Sequence, residues 1–101
     1  MINVVNRKGR TPQPNDIYIG RGSPLGNPHP MSDESDRDTV CELYEQHIAE
    51  RIALKDRRIT IELRRIYIMH KQYGSVNLVC FCKPKRCHGD SIKELLCGLS
   101  I

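Results

Sequence analysis

The 101-residue chain has no tryptophan, a single phenylalanine and only 5% aromatic residues, so the aromatic platform on which single-stranded nucleic acid is usually stacked is missing. No apolar run approaches the roughly 20 residues a membrane helix needs, and the Met1-Ile2-Asn3-Val4 start lacks the basic opening and long apolar stretch of a secretory signal. A cytoplasmic protein without a membrane partner is expected. There is no internal repeat, no low-complexity tract and no linker, and a chain of this length suits one hydrophobic core, so residues 1–101 are read as a single domain. Disulfide pairing is disfavoured as well. Five cysteines is an odd number, and Cys80, Cys82 and Cys87 fall within eight residues, which suits thiols or a site better than a disulfide framework.

What is present is a soluble composition, 39% apolar and 28% charged, with a net charge of +4. That charge is unevenly placed. Residues 31–50 carry a net −6 and the remainder +10, the excess lying at Arg7, Lys8, Arg10, Arg21, between Lys55 and Lys71, and at Lys83, Lys85 and Arg86. The surplus fits a phosphate-bearing partner.

The β-branched segment at Ile2 to Asn6 predicts a strand, followed by a loop holding Gly9, Pro12 and Pro14. Ile17, Tyr18 and Ile19 predict a second strand. It runs into residues 20–30, where three glycines and three prolines exclude both helix and strand. Ser35 with Asp38 matches a capping box, and Val40, Tyr44, Ile48 and Ile52 form an apolar stripe, predicting a helix over 36–55. A second amphipathic stretch carries Ile59, Leu63, Ile66, Tyr67 and His70, with Gly74 as its C-terminal cap. Val76 to Cys82 reads as a strand covered by helices on both faces, because its apolar run is nearly continuous. A last helix over 90–97 would be capped by Ser91 with Glu94 and stopped by Gly98. The order β-β-α-α-β-α specifies a small α/β sandwich of two or three layers, with strands two and three parallel through a right-handed crossover.

Parallel strands two and three put their carboxyl ends on one edge of the sheet. The loops over 20–30 and 80–90 would then face each other across a crevice, the usual ligand site of open α/β sheets. Gly20 and Gly22 allow tight turns or close approach, Arg21 offers a planar fork for phosphate or carboxylate, and Asn27 completes that loop's binding set. Opposite them, the amides from His88 to Ile92 would open the last helix toward an anion. Cys87, His88 and Asp90 form the candidate reacting group, since a thiol at a helix N-terminus beside Lys85, Arg86 and an imidazole favours the thiolate. Two alternatives stand beside this. Cys80, Cys82, Cys87 and His88 could hold a tetrahedral zinc, although their spacing departs from the usual paired C-x₂₋₄-C knuckles. Cys80 and Cys82 could equally be small apolar fillers of a buried strand, and Cys41 and Cys97 core or half-buried positions. His29 reads as a solvated loop residue, His47 and His70 as ordinary helical imidazoles, and the Arg57-Arg58 and Arg64-Arg65 pairs as a solvated basic face.

The two blocks Ile17 to Pro28, with Gly20-Arg21-Gly22 and Gly26-Asn27-Pro28, and Leu78 to Asp90, with Cys80-Phe81-Cys82 and Cys87-His88-Gly89-Asp90, resemble those of the domain of unknown function 4326 family. The helical segment with Arg37 and Tyr44 fits too. One departure is His29, where an aromatic residue is expected after Gly-Asn-Pro. The resemblance implies a bacteriophage or bacterial origin and a site shared by the two loops, without naming a reaction. Two functions follow as expectations. One is a small domain binding a nucleotide-like or other phosphorylated anion, with action on nucleotide derivatives as its enzymatic form. The other is a non-enzymatic phage effector that docks on a host protein or nucleic acid, with or without zinc.

Overall fold

The computed structural model describes residues 1–29, 33–81 and 85–97. Three strands, β1 (Ile2–Asn6), β2 (Asp16–Tyr18) and β3 (Val76–Cys80), form one sheet in the order β1-β3-β2, and both outer strands run parallel to β3. Three α-helices follow the expected order: α1 (Arg37–Ala53) and α2 (Arg57–Tyr73) lie between β2 and β3, and α3 (His88–Cys97) follows β3. A single 3₁₀ turn, Glu34–Asp36, leads into α1.

The register explains the layering. Ile2 stands beside Val76, Val4 beside Leu78 and Ile17 beside Leu78, so alternation sends Ile2, Val4, Ile17, Val76, Leu78 and Cys80 to one face. These residues share one apolar cluster with Tyr44 and Ile48 of α1, Ile59 and Ile66 of α2, and Ile92 and Leu96 of α3. All three helices therefore cover the same face, and the sandwich has two layers. The expectation of helices on both faces of β3 is corrected. On the outer face, the Asn3 amide donates to Asn77 Oδ1, Asn77 Nδ2 donates to Asp16 Oδ1, and Arg10 makes a two-pronged ion pair with Asp16. That polar ladder is covered by the connection from β1 to β2. Because β1 and β2 flank β3, this connection must cross β3, and it does so on the face the helices leave open. Arg10 holds Asp16 from it, and the Arg7 guanidinium lies 5.4 Å from the Tyr18 ring. The return from β2 to β3 travels the opposite way on the opposite face, so both crossovers share one hand.

Element ends differ from expectation in instructive ways. Ser35 does not cap α1; Asp33 accepts from the Ser35 amide and caps the 3₁₀ turn instead. At α2 the Asp56 side chain accepts from the Arg58 and Ile59 amides, and Gly74 closes the helix with φ of 76°, as a left-handed C-cap requires. α3 begins at His88, not at the Ser91–Glu94 box. Strand β2 starts and ends one residue early, at Asp16 and Tyr18, although Ile19 N still donates to Val79 O. Cys97 is exposed rather than half-buried. Cys82, expected in β3, and Gly98, expected to end α3, lie outside the described residues.

Candidate functional site

The two loops meet. A crevice of about 380 Å³ opens at the carboxyl edge of the sheet, lined on one side by Gly20, Arg21, Asn27 and His29 and on the other by Arg86, Cys87 and His88. Tyr18 and Phe81 form its outer lip, and Arg37, Val40 and Cys41 of α1 close it from the helical side. Gly22 and Asp90 are not among the lining residues.

The first wall is shaped by glycine, but at different positions for different reasons. Gly22 has φ of 89°, a conformation that side chains disfavour. Gly20 and Gly26 are needed for proximity: a Cβ on Gly20 would meet the Tyr18 phenol, and one on Gly26 would lie 2.6 Å from the Gly20 carbonyl oxygen. Within the loop, Ser23 Oγ donates to Gly20 O at 2.7 Å and the Tyr18 hydroxyl donates to Arg21 O at 3.1 Å. From outside, the fully buried Tyr44 donates its hydroxyl to Leu25 O at 2.8 Å. Burial and the neighbouring Cys87 both push the Tyr44 hydroxyl strongly upward, so it stays a neutral donor.

The second wall is a helix start built on a thiol. Cys87 sits where an N-cap residue belongs. Its Sγ accepts from the Gly89 amide at 3.5 Å, while Asp90 Oδ2 accepts from the Cys87 amide at 3.1 Å. This is the reciprocal pattern of a capping box, with cysteine in the usual hydroxyl position. Asp90 thus organises the wall from behind the crevice. His88 spans the two walls: its Nε2 lies 2.6 Å from Ile19 O at the end of β2, and its ring packs on Tyr44 with centroids 5.0 Å apart. A carbonyl oxygen can only accept, so Nε2 carries hydrogen, and Nδ1 is left facing Cys87 Sγ at 3.5 Å. A thiol, an imidazole nitrogen beside it and a carbonyl orienting the imidazole are the groups from which an activated thiol can be built.

Three guanidinium groups border the crevice and differ in their commitments. Arg37 chelates Glu34 and donates to Arg86 O, and Arg86 reaches back to Asp38 and Glu45, so the pair latches α1 to the second wall. Arg37 and then Lys85 hold the Glu34 carboxyl down at about 2. The Asp38 contact raises the Arg86 guanidinium above its already high value. Among the described residues Arg21 is different: it is exposed, and its guanidinium has no hydrogen-bond or ion-pair partner. The lip contributes two aromatic rings. Tyr18 and Phe81 meet edge to face at 6.2 Å, Arg7 lies over both rings, and Phe81 is 59% exposed.

His29 is not a solvated loop residue. It is half-buried and lines the crevice, and its ring meets His47 of α1 at 6.0 Å and 89°. The sequence pattern also gave no hint that Tyr44 ties both walls, because its place in the α1 stripe is explained by burial alone. Of the four residues considered for zinc, Cys80 is buried in the core, Cys87 and His88 bond each other, and Cys82 lies outside the described residues. Among the described residues no group of three or more His, Cys, Asp or Glu side chains is placed to hold a metal ion. Nor, among them, is any helix long and apolar enough to cross a membrane.

An α/β sandwich with its two glycine- and cysteine-marked loops facing one crevice is what the fold and geometry define. The chain belongs to the family described as a domain of unknown function (DUF4326), whose profile matches residues 2–98. No curated protein and no solved structure matches it significantly.

Proposed function

We propose that the crevice binds a small phosphorylated ligand of nucleotide type. Arg21 would take the phosphate, with the Gly20, Gly22 and Asn27 loop shaped around it, and the Tyr18–Phe81 lip would take a planar base. The single observation that carries this reading is the uncommitted Arg21 guanidinium at the mouth of the crevice, while Arg37 and Arg86, which also line it, are already neutralised. A planar fork with no partner suits a bidentate anion. The Cys87–His88 pair at the inner wall, held by Asp90, would be the reacting end if the ligand is turned over, and derivatives of nucleotides are then the substrates. The protein would act in the cytoplasm, that of the host where the chain is phage-encoded.

A thermal-shift screen of nucleotides and sugar phosphates tests the proposal. A ligand at 100 times its Kd stabilises the fold by about 2.7 kcal/mol. The expected result is a rise in melting temperature with nucleotides that Arg21→Ala removes. A flat response across the library contradicts it and leaves the two loops with a purely architectural role, as the docking effector reading requires.

A further inference from the structure

The outer surface of α2 is the other unusual feature, and no α2 residue lines the crevice. The helix carries Arg57, Arg58, Arg64, Arg65 and Lys71 against one acid, Glu62, which pairs with Arg65 at 2.9 Å. Within this basic surface, Ile61 and Ile68 are 59% and 55% exposed. They are seven residues apart and so lie nearly in line on one side of the helix, about 10.5 Å apart. A shallow groove of about 380 Å³ runs along them, bordered by Arg64, Arg65 and Met69. Arg57, Arg64 and Lys71 follow the same heptad step on one flank of this line, and Arg58 and Arg65 follow it on the other.

We infer that this face docks an acidic amphipathic helix from a partner protein. A seam of apolar side chains at a seven-residue step, edged by charges of one sign, is the surface that pairs with a helix of the same step and opposite charge. Charge and width exclude the other occupants. A helix lying in a lipid surface presents a broad apolar face, whereas here Arg64 and Arg65 border a seam one side chain wide. Phosphate tracking by arginine makes no use of exposed isoleucines, and the two tyrosines of α2 do not line the groove, Tyr67 lying under Lys71. The acidic helix α1 of a second copy is a poor match, since Asp38 and Glu45 already hold Arg86 and Leu43 is its one large exposed apolar residue.

Fluorescence anisotropy with a labelled synthetic helix, leucine at every seventh position and glutamate on both flanks, is the test. The peptide is expected to bind saturably. Ile61→Asp with Ile68→Asp should weaken binding at least tenfold, as should Arg57→Glu with Arg64→Glu, the latter pair shifting preference to a lysine-flanked peptide. Both double variants should keep the wild-type melting temperature and nucleotide response, because the changed residues are exposed and none of them lines the crevice. The inference is overturned if the peptide fails to bind, or if a serine-for-leucine version binds equally well. It is overturned too if duplex DNA or phosphatidylserine vesicles compete for the face, or if sedimentation shows a dimer that the isoleucine variants dissociate.

Discussion

The two walls of the crevice hold their shape by different means. The Gly20-to-His29 wall has no regular structure and depends on partners far away in the chain: Tyr44 anchors it at Leu25 O from nineteen residues on, and His47 supports His29. The Cys87-to-Asp90 wall is local, a helix start closed on itself by a thiol and a carboxylate three residues apart. The difference implies that the first wall yields to substitutions anywhere along its tethers, whereas the second yields chiefly at its own cap and at the Arg37–Arg86 latch to α1. His88 joins them, so damage to either should reach the Cys87 pair.

Gly26→Ala should do the most damage. Its Cβ would press on the Gly20 backbone, which cannot turn aside as a side chain can, so a loss of about 2–4 kcal/mol is expected, read as a fall of roughly 10 °C or more in melting temperature. Tyr44→Phe comes next. It leaves Leu25 O buried without its donor and should lose about 1–3 kcal/mol. Hydrogen exchange at Gly26 should accelerate in this variant while exchange at Gly89 is kept, which sharpens the contrast between the walls. Asp90→Ala removes half of the capping box and should lose about 0.5–2 kcal/mol. Its signature is the reverse, faster exchange at Gly89 with Gly26 unchanged. If both variants loosen both walls equally, the comparison is wrong.

A smaller effect is expected from acid. Hydrogen bonding to Arg10 first, then to Asn77, keeps the Asp16 carboxyl below its ordinary 3.8. A carboxyl held down in the folded state contributes stabilisation that is complete above its unfolded value and disappears as pH falls through the folded one. Stability should therefore decline below about pH 4, and Asp16→Asn should flatten part of that decline in acid melts. Smallest of all is Arg21→Ala, expected within about 0.5 kcal/mol of wild type in stability because nothing in the fold leans on that side chain. Its consequence should show in ligand binding alone.

Much of this arrangement was legible in the residues. The order of elements, the parallel pairing of the second and third strands and the facing of the two loops followed from composition and from the short, nearly continuous apolar run at Val76. The failures have physical causes. Val79 is buried, and burial on the second face suggested a helix there, but the connection after β1 shields it instead, a device with no periodic signature. The Ser91–Glu94 box suggests a helix over 90–97 because hydroxyl caps are the familiar ones, while the chain uses the Cys87 sulfur to cap a helix that begins at His88. Tyr44 satisfies the apolar stripe of α1, which hides its hydroxyl's work on a distant loop. His29 is half-buried against a histidine that only tertiary structure brings near.

Amide chemical-shift mapping during titration with a nucleoside phosphate addresses the convergence of the loops most directly. The account predicts that Gly20, Arg21, Gly26 and Asn27 shift together with His88 and Gly89, in one saturable phase that Arg21→Ala abolishes. Shifts confined to one loop, or gathered on α2 or the outer face of the sheet, would contradict it.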